Sequence, residues 1–189
     1  MNATNHRPHS AFRPVTLAVA LLGSAVFAHA ATTMSRADYG AAKERIEADY
    51  KAAKGACDSY SGNAKDICVE QAKAKEKVAR AELEADYTGK VDDRAKVATV
   101  KADTSYDVAK EQCDDKGGNA KDVCMSEAKA AHTKALADAK LGKKVGEARQ
   151  DALEDKRDAD YKVAVQKCDT LAGDAKGTCV NEAKARYQK

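Results

Sequence analysis

The sequence predicts an all-α chain, three disulfide-stapled antiparallel helical hairpins strung in an elongated, coiled-coil-like array. Three observations predict it. Cysteines recur in pairs eleven residues apart, Cys57 to Cys68, Cys113 to Cys124 and Cys168 to Cys179, and no cysteine lies outside these pairs. Each pair belongs to a copy of one unit, with a tyrosine seven residues before the first cysteine (Tyr50, Tyr106, Tyr161) and a glycine five residues after it (Gly62, Gly118, Gly173). Between the pairs, alanine, lysine, glutamate and aspartate dominate, and alanine is the strongest helix former with lysine and glutamate close behind.

The N-terminal segment comes first. Arg7 and Arg13 precede an apolar run from Val15 to Phe27 and then Ala28-His29-Ala30, the pattern of a secretory signal peptide over residues 1–30 with cleavage expected after Ala30. The run is shorter than the roughly 20 residues that span a bilayer, so no transmembrane anchor is expected after cleavage. Both prolines, both phenylalanines and two arginines belong to this segment, so its loss takes the formal charge from +3 to about +1. Nucleic acid is therefore not an expected partner. Leu, Ile, Val and Phe make up only about a tenth of the remaining residues, too few for a thick core.

The first hairpin is expected within residues 31–90. Tyr39, Ala42, Ile46, Tyr50, Ala53 and Cys57 recur in steps of three and four, one face of an amphipathic helix. The insert Asp-Ser-Tyr-Ser-Gly-Asn then breaks it. Asn63 is a suitable N-cap for the next helix, with Asp66 adding favourable charge. That helix carries the stripe Ile67, Ala74, Val78, Ala81 and Ala85, and Thr88-Gly89-Lys90 ends it. Tyr60, found only in this copy, falls in the turn.

The second hairpin, residues 91–145, repeats the pattern through Ala95, Ala98, Ala102, Tyr106, Ala109 and Cys113, with Gly118 in the turn and Asn119 as the cap. The third, residues 146–189, is shortened. It keeps Leu153, Tyr161, Ala164 and Cys168, with Gly173 and Asp174 at the turn, but Arg157 stands where the first copy has Ile46, so its upstream part should be more exposed. Gly142 and Gly146 lie between these two units, yet each costs only about 1 kcal/mol against alanine. One continuous helix over residues 120–168, roughly 70 Å long, is the favoured reading.

Six cysteines allow fifteen pairings, and the repetition singles out the local one, Cys57–Cys68, Cys113–Cys124 and Cys168–Cys179. Alanine-rich faces permit the close backbone approach that a disulfide needs. Each closure is expected to contribute on the order of 3 kcal/mol. The spacing does not suit a redox-active Cys-x-x-Cys pair, and His132, the one histidine beyond the signal segment, makes no zinc or copper set with these cysteines. It reads as a solvated helix residue. No serine or cysteine triad and no phosphate loop emerges. The sequence thus predicts no enzyme, no catalytic residues, no metal and no cofactor. Tyr50, Tyr106 and Tyr161 read as packing residues beside alanines.

The strings "ERIEADYKAAKGACD", "GNAKDICVEQAKAKEKVARAELEADY", "SYDVAKEQCDDKGGNAKDVC" and "EDKRDADYKVAVQKCDTLAGDAK" resemble a group of exported, Ala/Lys-rich helical repeat proteins of proteobacteria. These are often loosely labelled TolA-like, after the helical stalk of that cell-envelope protein. The resemblance implies a periplasmic or secreted location and brings no active site with it. The leading expectation is a non-enzymatic structural or interaction protein of the cell envelope, with protein or envelope components as partners and room for self-association. A periplasmic stress protein or chaperone-like protectant is the alternative, suggested by the polyampholytic helices, and a thiol- or metal-handling protein is the third.

Overall fold

The computed structural model describes residues 34–189, so the signal segment expected over residues 1–30 lies outside the described residues. Five α-helices account for nearly all of the described chain, and no strand occurs among these residues. They are α1 (Arg36–Ala56), α2 (Gly62–Thr88), α3 (Val91–Asp114), α4 (Gly118–Cys168) and α5 (Gly173–Tyr187). A single 3-10 turn, Cys57–Ser59, follows α1. Each helix packs against its neighbours in the chain, α1 on α2, α2 on α3, α3 on α4 and α4 on α5, and no other pair touches.

Local chemistry sets the boundaries. Ser35 caps α1, its hydroxyl accepting the Asp38 backbone N–H at 3.1 Å and donating to the Asp38 carboxylate at 2.7 Å, as a serine N-cap does. Gly89 ends α2 in the left-handed region at φ 66°, its N–H reaching the Ala85 carbonyl at 2.9 Å, as a C-terminal glycine does. Gly62, Gly118 and Gly173 take φ values of 56°, 53° and 58°, where a Cβ would meet the following carbonyl.

Those glycines correct the expected caps. The N-cap positions are Ser61, Gly117 and Ala172, without side-chain capping bonds, so Asn63, Asn119 and Asp174 lie inside the first helical turns. Each helix, opening at the left-handed glycine, starts two residues earlier than the expected cap required. Asp66 and Asp122 accordingly fall beyond the first turn, where the helix dipole has little hold on them.

The favoured long helix is present: α4 runs unbroken for 51 residues through Gly142 and Gly146, about 76 Å at 1.5 Å per residue. The boundary expected between residues 145 and 146 therefore falls inside one helix. Gly146 has a packing reason, since a Cβ there would lie 2.9 Å from Val91 Cγ1 at the start of α3. Gly142 meets nothing within 4 Å.

The core is thin and made of small side chains. Ala72, Ala81, Leu83 and Ala85 of α2, Ala102 of α3, Ala139 of α4 and Ala183 of α5 are buried. Among the described residues the most completely enclosed side chains are Cys57, Cys113 and Cys168, at 0%, 1% and 1% exposure. Tyr39, Ala42, Ile46, Tyr50 and Ala53 all face inward to some degree, whereas Ala98 and Leu153 are exposed. Helix α4 between the α3 and α5 contacts is mostly bare, as the arginine at 157 foreshadowed.

Candidate interaction surface: three clasps and the polar pairs between helices

Each expected cysteine pair is a disulfide. Cys57–Cys68, Cys113–Cys124 and Cys168–Cys179 have Cα separations of 5.6, 5.7 and 5.7 Å, within the range a bridge requires. The first cysteine of each ends up at or near a helix end and the second about two turns into the next helix, so the bridge spans the turn. No free cysteine remains in the described residues. A buried, bridged sulfur is neither nucleophile nor metal ligand, because both roles belong to the thiolate.

A second clasp runs beside every bridge. The aspartate that follows each first cysteine pairs with a lysine seven residues on: Asp58 with Lys65 at 2.9 Å, Asp114 with Lys121 at 2.8 Å and Asp169 with Lys176 at 3.1 Å. Lys65 holds the Asp58 carboxyl below its ordinary range, first by its hydrogen bond and then by its charge. Asp114 raises Lys121 for the same two reasons. Sequence reasoning missed this pair, although the Asp-x6-Lys spacing is constant in the three copies.

Further polar pairs join the helices away from the turns. The Tyr39 hydroxyl donates to Glu84 at 2.6 Å, and its ring lies 4.4 Å from that of Tyr87. The acceptor Glu84 raises the Tyr39 pKa, with partial burial adding to it. The Asn63 amide donates to the Glu111 carbonyl at 2.9 Å, tying the start of α2 to the end of α3. Lys101 pairs with Glu82 at 2.6 Å and Lys143 with Asp92 at 2.7 Å. Where α2 lies between α1 and α3, a groove of about 610 Å³ opens, with Leu83 and Ala81 in its lining and Lys43, Lys77, Arg80 and Lys96 among the cations around it.

The tyrosines divide in their environments. Tyr106 stacks on His132, ring centres 4.7 Å apart and planes nearly parallel at 9°, and Lys110 sits 5.0 Å from the Tyr106 ring centre. Tyr161 meets Tyr187 edge-on at 6.3 Å. Tyr50 is half-buried, and Tyr60 is exposed. His132 is not the solvated residue expected: its side chain is largely covered, and Nε2 lies 2.7 Å from the Asp103 carboxylate. This contact is a hydrogen bond when the ring is neutral and an ion pair when it is protonated. The sequence hid the arrangement because residues 29 apart meet only once α3 and α4 are docked.

Among the described residues no three histidine, cysteine, aspartate or glutamate side chains gather as a metal site. No described helix is long and apolar enough to cross a membrane. What the arrangement offers chemically is covalent and ionic closure of turns, and charged helix faces between them. In comparisons with known proteins, no family, no curated protein and no solved structure matches this chain.

Proposed function

We propose that this chain is a non-enzymatic structural or interaction protein of an oxidising compartment, periplasmic or secreted, whose stapled helices present charged faces to envelope components or other chains. The observation that carries the reading is the set of three disulfides, each built on the most enclosed side chain of its turn. Bridges of this kind persist where thiols are kept oxidised. With so little apolar surface to bury, the fold depends on them.

The finer architecture belongs to the same reading. Successive helices run antiparallel, as hairpins in an elongated, coiled-coil-like array. The start of α1 meets the far end of α2 through Tyr39 and Glu84, and the start of α3 meets the middle of α4 through Asp92 and Lys143, while the bridges join adjoining ends. The repeats span residues 31–90, 91–145 and 146–189, with α4 shared by the last two. A cleaved signal over residues 1–30 and the TolA-like resemblance supply the route to the envelope.

The test is fractionation of a Gram-negative host that expresses the full chain, with thiols alkylated before and after reduction. The expected product is a periplasmic or culture-medium protein that begins near Ala31 and whose six cysteines alkylate only after reduction. A cytoplasmic product with reduced thiols overturns the proposal. Gene deletion followed by envelope-stress phenotyping then tests the envelope role, and wild-type behaviour under every envelope stress removes it.

A further inference from the structure

Of the pairings that six cysteines allow, this chain takes the one in which every cysteine joins its neighbour in sequence, each bridge closing over eleven residues. A bridge between different pairs has to close a longer loop, at shortest about 45 residues, from Cys68 to Cys113 or from Cys124 to Cys168. With closure falling as the 3/2 power of loop length, the native partner is favoured about eightfold over either of these. Over all the longer bridges together, length alone gives only a few-fold advantage.

The turns supply the rest. Each eleven-residue loop holds a left-handed glycine, Gly62, Gly118 or Gly173. It holds a backbone hydrogen bond of 3.0 Å, from the N–H of Tyr60, Lys116 or Leu171 to the carbonyl of the first cysteine. It also holds the ion pair Asp58–Lys65, Asp114–Lys121 or Asp169–Lys176. None of these devices needs a contact from another repeat, and together they reverse the chain so that the two cysteines approach. Once the three bridges are closed, all six cysteines are used and no thiol remains to attack a bridge, so reshuffling within the chain has no nucleophile.

We infer that the chain is a direct client of a disulfide oxidant and of no isomerase: each bridge forms natively at its own turn, independently of the other two and of whatever the helix faces bind. One thiolate of a pair attacks the oxidant's disulfide and expels one of its thiolates, and the second thiolate then attacks the mixed disulfide and expels the other. Each pair gives up two protons and two electrons, so three oxidant disulfides become six thiols for one chain. A thiol–disulfide oxidoreductase is the class of oxidant that does this.

The purified, fully reduced chain is to be oxidised with glutathione disulfide, alkylated at intervals, and its first bridges mapped by proteolysis and mass spectrometry. In buffer the native pairs should exceed all others together by at least about tenfold, and in concentrated guanidinium, where the turns are lost, only by the few-fold that length gives. Gly62→Val, at φ 56°, should cut the excess at the first pair by at least about threefold and leave the other two pairs within about twofold. Added disulfide isomerase should change the yield of the three-bridge product by less than about twofold. An excess in buffer no greater than that in guanidinium overturns the inference, and so does a severalfold gain from the isomerase. Mispairing that spreads from Gly62→Val to all three pairs overturns the independence of the turns, and an unaffected first pair overturns the part its turn plays.

Discussion

Removing the third bridge, by Cys168→Ser together with Cys179→Ser, should undock α5 and leave the rest of the array in place. The bridge closes a loop of eleven residues, which on the chain-entropy account contributes about 3 kcal/mol. The other forces on α5 are small. Ala183 is its one buried residue, worth about 0.8 kcal/mol if a methyl group is the measure. The Tyr161–Tyr187 edge contact adds about 0.5 to 1.5 kcal/mol, and the Lys189–Asp158 and Lys176–Asp169 pairs lie at the surface, where such pairs are worth at most about 1 kcal/mol each. Isolated helices of 15 residues are marginal in water, so the bridge supplies about half of what holds α5. Because each helix touches only its chain neighbours, the loss should stay local. Native-state hydrogen exchange on the full chain is the assay. Amides of α5 should lose about 100-fold in protection, since each 1.4 kcal/mol is a factor of ten, while those of α2 and α3 change by less than about threefold. Undiminished protection in α5, or a loss spread evenly over all five helices, would refute the reasoning.

Three further outcomes are expected. Gly173→Ala, at φ 58°, should destabilise by about 1 to 2 kcal/mol, whereas Gly177→Ala, with nothing within 4 Å, should stabilise α5 by up to about 1 kcal/mol; equal effects in denaturant titrations would remove the turn argument. A double-mutant cycle of Asp103→Ala and His132→Ala should show a coupling of about 0.5 to 1 kcal/mol, and strict additivity would mean that the contact does not hold α3 to α4. Asp107 is held below its ordinary 3.8 by its hydrogen bond from Lys110, then by the charges of Lys110 and Lys77, against a desolvation effect that opposes them. A depressed carboxylate stabilises the fold above its unfolded pKa, and that contribution disappears as pH falls through the lower folded value. Asp107→Asn should therefore flatten the fall in Tm below about pH 4, and an unchanged acid slope counts against this pairing.

How much could be read from sequence follows from how local each feature is. The bridges, the left-handed glycines and the end of α2 at Gly89 depend on residues within a dozen positions of one another, and repetition supplied three copies to compare. The cap assignment failed on a local detail: asparagine is a good cap, but the chain reverses at the left-handed glycine before it, and the cap position falls on the residue ahead of that glycine. The contacts of Tyr39 with Glu84, Asn63 with Glu111 and Asp103 with His132 join residues 45, 48 and 29 apart. They depend on the register between helices, which alanine faces specify weakly because one alanine fits much like another. The polar pairs supply the register that such faces leave open, so the residues least legible in the sequence are among those that fix how neighbouring helices align.

The same thinness of core gives α4 a particular role. Helices α3 and α5 do not touch, and each lies on α4, so the angle between their docking sites is set by the helical phase of the chain between Gly146 and Asp158. Adding or removing one residue there turns one site against the other by about 100°. That segment makes few contacts, and its length is nevertheless constrained, since only certain lengths leave both partners on one side of the helix and the exposed Leu141 and Val145 on the other. An unbroken helix keeps that phase, whereas a flexible joint would lose it. The cost of about 1 kcal/mol for each of Gly142 and Gly146 is too small to break it, because every residue between Gly118 and Cys168 adds to a helix already nucleated. Continuity of α4 is thus what relates the third clasp to the first two, and the uncovered face is a consequence of that phase.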